Sequence, residues 1–182
     1  MRRCLLPLLA TALLAAGCGP EPVPQRLDVP LPAAQGSWQL GWNEAYGEDG
    51  AVLRFRVESF RVTRTGWAAR IAVANETEAA WTVAPSFGVM LFADDDLERV
   101  QAAAEAGRLP APRRARTLLP EPPAQLAAGE RWEGTVSAHG SLPAGAWVRV
   151  VFGTFRALGT PPEGMQPVVS WITDEAHRLP PR

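Results

Sequence analysis

The chain has only two cysteines and two histidines, and it contains no lysine. Both cysteines, Cys4 and Cys18, lie within the first eighteen residues, so the rest of the chain offers no internal disulfide, no thiolate metal site and no cysteine nucleophile. A G-x-S-x-G nucleophile motif is also absent from the sequence. We therefore expect a protein that is not an enzyme, binds no cofactor, and holds its fold by packing alone.

The apolar run near the N-terminus, Leu5 to Leu14, is about ten residues long, too short for a helix that crosses a hydrocarbon core of roughly 30 Å. Arg2 and Arg3 precede this run, and the small residues Ala15, Ala16 and Gly17 follow it, directly before Cys18. A basic start, a short apolar stretch and small residues at its end are typical of a secretory signal peptide.

The junction Leu-Ala-Ala-Gly-Cys resembles the lipobox of bacterial lipoproteins, although Ala15 stands where that pattern more often has leucine. The resemblance implies a signal peptide over residues 1–17, cleavage before Cys18, and a diacylglyceryl group on the Cys18 sulfur. The mature chain would then be held to a membrane by its N-terminal lipid, in the cell envelope and facing the periplasm or exterior. An ordinary secretory signal, with a cysteine there by chance, is the alternative.

Cleavage at this point leaves sixteen arginines against nineteen acidic residues, a net charge near −3. Nucleic acid as the main partner would call for a basic domain, so this balance argues against it.

Residues 18–36 are expected to form a disordered tether, because this segment has five prolines and no aromatic residue to bury. At the other end of the chain, residues 176–182 are polar and are expected to be a loose tail. Residues 37–175 between them form one domain by size.

Alternating apolar residues predict strands across most of that domain. Trp67, Ile71 and Val73 follow a clean period of two and are expected in the core. The phase changes between Val57 and Phe60, which predicts a β-bulge near Glu58–Ser59. The polar stretch 43–50 is expected to be a connection.

After the Phe87–Ala93 region, the spacing of apolar residues changes once from that of a strand to that of a helix. Asp95 and Glu98 also have capping-box spacing, so the sequence predicts a helix over about 95–106. A Pro-rich stretch over residues 108–129 follows and is expected to be a long loop. It carries Arg113, Arg114 and Arg116, whose guanidinium groups suit the carboxylates or phosphates of an acidic protein, a lipid headgroup or an anionic polymer. These three arginines are the candidate partner-binding residues, and the alternative is that they pair with Glu105 and Glu121 of the domain itself.

Short strands with turn signals about every ten residues predict a mostly β, antiparallel sandwich with one short inserted helix. The segments LAAGERWEGTVSA and SLPAGAWVRVVF resemble immunoglobulin-like domains of bacterial secreted lipoproteins. The resemblance implies an immunoglobulin-like sandwich and covers about half the mature chain. It assigns no ligand.

Two other patterns resemble functional sites, but neither predicts catalysis or metal binding. Ser137 and His139 lie two residues apart, which gives no geometric reason for a nucleophile and base to meet. Asp94, Asp95 and Asp96 lack the alternate spacing of a calcium loop and are expected to cap the helix.

The resulting interpretation is a membrane-anchored envelope lipoprotein whose domain is a non-catalytic binding module. Its partner would be an envelope protein or an anionic polymer. A small-ligand carrier or sensor with an apolar pocket between the sheets, and a protease-inhibitor-like domain that presents the 108–129 loop, are the alternatives.

Overall fold

A computed structural model describes residues 31–48, 50–84 and 86–180. The predicted signal peptide, Cys18 and most of the predicted tether lie outside these residues. The described chain forms two antiparallel sheets that face each other as a sandwich, so the predicted fold class is confirmed.

The first sheet has five strands, and the second has seven. The strands of the first sheet, in spatial order, are β1 (Gly36–Glu48), β2 (Ala51–Val62), β3 (Gly66–Glu76), β9 (Arg131–His139) and β7 (Thr117–Leu119). The strands of the second sheet are β6 (Arg113–Arg114), β5 (Gly88–Phe92), β10 (Trp147–Leu158), β4 (Ala80–Ala84) and β8 (Gln125–Leu126), with β11 (Val168–Ile172) and β12 (His177–Arg178) also paired to β10.

The long strand β10 organises the second sheet. One of its edges pairs first with β5 and then with β4, while β12 and β11 occupy the other edge. The register shifts between Val151 and Gly153, where β5 gives way to β4. Gly153 has φ of 90°, and a Cβ there would lie 2.5 Å from Ser86 Oγ, so only glycine suits this position.

The core lies between the sheets and consists largely of aromatic rings. Phe55 of the first sheet contacts Phe152 and Phe155 of the second edge to face, at centroid distances of 5.2 and 5.4 Å. Trp171 stacks on the same ring at 5.0 Å. Such pairs add to the stabilisation that burial of their area provides.

The central strands follow the sequence pattern. Trp67, Ile71 and Val73 are all buried, as predicted. The β2–β3 register shifts between Val57 and Ser59, which confirms the predicted bulge. The bulge turns Phe60 back into the core, where it is 1% exposed.

The single helix, α1 (Leu97–Glu105), covers the outer face of the second sheet. Val100 packs there with Met90, Phe92 and Val151. The N-cap is Asp96, whose carboxylate accepts a hydrogen bond from the Glu98 backbone N–H, so the cap lies one residue later than the predicted capping box. No helix in the described part of the chain is both long and apolar enough to cross a membrane.

The predicted connection over 43–50 is wrong, because β1 continues to Glu48. In this part of β1, Glu44 occupies one of the alternate positions that face the second sheet. Its side chain joins this edge of the first sheet to the C-terminal segment. The Glu44 carboxylate accepts hydrogen bonds from Trp171 Nε1 at 2.9 Å and from the backbone N–H groups of Asp174 and Glu175. Burial raises the pKa of this carboxyl above its ordinary value.

Both predicted loose ends are also shorter than expected. Residues 31–36, placed in the tether by composition, join the fold: Ala33 donates a backbone hydrogen bond to Leu142 and is buried. At the C-terminus, β12 pairs with β10 and Leu179 is fully buried, so the described part of the 176–182 segment is not a loose tail. One buried apolar residue anchors each end. A single residue does not change the composition of a segment enough to predict that the segment is ordered.

The predicted 108–129 loop contains three short strands, β6, β7 and β8. The segment pairs with β5 in the second sheet, crosses to β9 in the first, and returns to β4 in the second. It therefore closes one side of the sandwich. Strands of two or three residues are too short to show any hydrophobic period.

Candidate binding surface

The outer face of the first sheet carries arginines and glutamates among small residues. Arg54 donates two hydrogen bonds to Glu76, at 2.8 and 2.7 Å. Arg70 pairs with Glu58 at 2.9 Å and also with Glu133. These contacts hold the pKa values of Glu76 and Glu133 below the ordinary glutamate value and keep both carboxylates charged. The pairs lie at the surface, so each contributes little to stability.

A second group of arginines lacks such partners. No described carboxylate lies within 4.0 Å of the guanidinium groups in this group, and all of its side chains are exposed. We call it the arginine cluster, and its members are Arg61, Arg64, Arg113, Arg114 and Arg116.

Strand pairing brings the cluster to one end of the sandwich. Arg61 lies near the end of β2, and Arg64 lies in the turn that joins β2 to β3. Arg116 donates its backbone N–H to Ser137 on β9, which is the strand that pairs with β3. Arg113 reaches the same end through its side chain, since Nη1 donates to the Ser141 carbonyl at 2.7 Å.

The structure therefore places the three predicted residues beside two others that the sequence analysis missed. Arg113 and Arg114 form β6, and Arg116 lies where the chain crosses between the sheets. The proposed internal pairing with Glu105 and Glu121 is not present among the described residues. In the sequence, Arg61 looks like any outward-facing residue of an alternating strand. Only the fold shows that it lies at the same end of the sandwich as Arg116.

A depression of about 190 Å³ lies beside the cluster, and we call it the polar depression after the hydroxyl groups in its lining. Its polar walls are mostly hydroxyl groups, with Arg61 at one side and His139 at another. The hydroxyl-bearing residues that line it are Thr63, Thr65, Thr117 and Ser137. Hydroxyls and a guanidinium group are donors that suit phosphate or carboxylate oxygens.

Ser137 and His139 share this depression, but no hydrogen bond joins them in the described chain. The aspartates before α1 have structural contacts: Asp94 accepts from the Asp96 backbone N–H, and Asp95 pairs with Arg178 at 2.9 Å. Among the described residues, no three histidine, cysteine or acidic side chains form a group that could hold a metal ion.

A cleft of about 440 Å³ lies between α1 and β11. Arg149 lines it and is only 6% exposed. This guanidinium donates to the Thr173 carbonyl and, at 3.1 Å, to Asp174 Oδ1, so it fixes the turn after β11. With Glu105 and Asp174 also lining the cleft, its charge does not favour an anion.

No protein-family model, no curated protein and no solved structure matches this chain.

Proposed function

We propose that this chain is a lipid-anchored protein of the cell envelope whose sandwich domain is a non-catalytic binding module. The Leu-Ala-Ala-Gly-Cys junction after a basic start and a short apolar run carries the proposal, because acylation of Cys18 requires such a site. The described strands support it, because all of them follow Cys18, the first beginning at Gly36, and cleavage before Cys18 would leave the sandwich intact.

Cys18→Ser tests the anchor. A serine hydroxyl does not replace the thiol that accepts the diacylglyceryl group, so the variant precursor is expected to remain uncleaved and to lose its lipid. The measurement is the size of the protein and its distribution between membrane and soluble fractions.

Cys4→Ser is the matched control, since it removes the other cysteine from the same leader. This variant should be processed and retained like the wild type. Unchanged processing and membrane retention of the Cys18→Ser protein would refute lipidation at this residue.

The arginine cluster supports the proposed binding role of the domain. Five guanidinium groups without carboxylate partners are available to an anionic partner, and an acidic envelope protein, an anionic polymer and a lipid headgroup are the candidates. Binding of this kind weakens with salt, since exposed charges are screened beyond roughly 8–10 Å at physiological ionic strength.

Replacing Arg113, Arg114 and Arg116 together with serine should weaken partner capture from solubilised envelopes, with little change in the melting temperature. The physical reason is that the three side chains contact solvent and only one backbone carbonyl, that of Ser141. A variant with Arg99, Arg108 and Arg156 replaced by serine removes the same charge elsewhere and serves as the control. Unchanged capture with a clearly lowered melting temperature would make the three arginines structural.

The two alternative functions receive less support from the geometry. Phe55, Phe152, Phe155 and Trp171 occupy the space between the sheets in which a carrier would bind an apolar ligand. The 108–129 segment is bonded to the sheets at three short strands, whereas an inhibitor loop has to stand free of them to enter a protease.

A further inference from the structure

The end of the domain that carries the arginine cluster is also the end where the chain enters the fold. The Leu31 carbonyl accepts a hydrogen bond from the Ala144 backbone N–H, and the Ala33 N–H donates to the Leu142 carbonyl, at 2.7 Å each. The neighbouring Ser141 carbonyl accepts from Arg113, and Gly140 N–H donates to Thr65, next to Arg64. The entering chain and the cluster are therefore neighbours.

This position limits how far the cluster can lie from a membrane that holds Cys18. The twelve residues from Gly19 to Pro30 separate the acylation site from the first described residue. Fully extended, they span at most about 43 Å. This segment joins the sandwich at the end that carries the arginine cluster, so that end lies within this distance of the acylated cysteine.

The opposite end of the sandwich carries exposed glutamates that have no described arginine partner. Ala51, Glu78, Leu158 and Glu163 line one cleft there, and Glu130 lies in the turn before β9. These three glutamates are exposed, and none is within 4.0 Å of a described arginine. An anionic surface would attract the entry end and repel this one.

The acidic residues nearest the entry lie toward the second sheet. Asp94 and Asp95 line a cleft with Pro143 and Ala144, and Asp95 is paired with Arg178. The polar depression and the unpaired arginines lie instead on the first-sheet side. Only this side of the entry end has the charge and the donors to receive phosphate groups.

We infer that the arginine cluster and the adjacent polar depression bind the phosphate headgroups of anionic phospholipid and hold the domain against the membrane by its entry end. This inference rests on the proposed lipid anchor at Cys18. Arg61, which lines the depression together with Thr117 and Ser137, receives a phosphodiester oxygen, while Arg64 and Arg116 contact neighbouring headgroups. The lipid on Cys18 attaches the protein to the membrane, and the arginine cluster orients the domain on the membrane surface.

The test uses the processed chain from residue 18 onward with Cys18→Ser, which contains every described strand and carries no lipid of its own. Its co-sedimentation is measured with vesicles of phosphatidylglycerol and phosphatidylethanolamine, and with vesicles of phosphatidylcholine alone. We expect binding only to the anionic vesicles, with a loss at high salt. Arg61→Gln, Arg64→Gln and Arg116→Gln together should weaken it by at least about tenfold.

The control replaces Arg99, Arg108 and Arg156 with glutamine, which lowers the net charge equally but leaves the cluster intact. This variant should keep its vesicle binding. Absence of binding to anionic vesicles, or an equal loss in both triple variants, would overturn the inference. Neither result would affect the anchor, which the fractionation of Cys18→Ser in cells tests separately.

Discussion

Asn75→Ala is expected to lower the free energy of unfolding by about 3–5 kcal/mol, because it removes a buried bridge between the two sheets. Asn75 is the next-to-last residue of β3 and is fully buried. Its Nδ2 group lies 2.8–3.1 Å from the carbonyl oxygens of Ala79, Leu126 and Ala127. The last two residues belong to β8 and the turn that follows it, on the second-sheet side.

The other side of the Asn75 amide extends the same network. Its Oδ1 accepts from the backbone N–H of Thr77 at 3.0 Å and from the Thr77 hydroxyl at 2.7 Å. That hydroxyl oxygen in turn accepts from Trp81 Nε1 at 3.1 Å. Truncation at Asn75 would leave several buried groups without partners, and each such group costs about 1–3 kcal/mol.

Asn43→Ala is the matched control. Asn43 is exposed and makes one side-chain hydrogen bond, at 3.2 Å, to Arg56, so its loss should cost less than about 0.5 kcal/mol. Chemical denaturation of both variants measures the difference. Equal, small effects at the two positions would show that Asn75 does not join the sheets.

Ile71→Ala should cost about 2–5 kcal/mol, the usual range for truncation of a buried aliphatic side chain. Ile71 lies in the middle of β3, with β2 on one side and β9 on the other, and its exposed fraction is 0%. The cavity would lie between Val57 and Gly134, its cross-strand neighbours, and the glycine has no side chain to fill it.

Leu158→Ala provides the comparison, since Leu158 ends β10 and is 42% exposed. It should change the melting temperature far less than Ile71→Ala. A melting temperature of the Ile71 variant within a degree of the wild type would show that the register of β3 is wrong.

The sequence predicted those parts of the fold in which hydrophobic period and burial agree. In β3 and at the bulge after Val57, the large apolar residues face the core, so the pattern alone locates the strand. The pattern failed at Glu44 because an inward carboxylate, satisfied by three N–H groups from distant segments, looks polar and therefore exposed. Asn75 is likewise polar in the sequence but fully buried in the fold.

The candidate binding surface was predictable only in part. Arg113, Arg114 and Arg116 are close in sequence, so their grouping is visible without a structure. Arg61 and Arg64 join them only through the pairing of β2 with β3 and of β3 with β9, which depends on contacts between distant residues. The position of the entering chain beside the cluster likewise depends on the contact between Ala33 and Leu142.

The most direct test of the proposed function is the intact mass of the protein purified from membranes, together with the sequence of its N-terminal peptide. The account predicts a chain that begins at Cys18 and is heavier than the polypeptide of residues 18–182 by a diacylglyceryl group, with or without a further acyl chain on the N-terminal amine. An unmodified Cys18, or a mature N-terminus at any other residue, would contradict it.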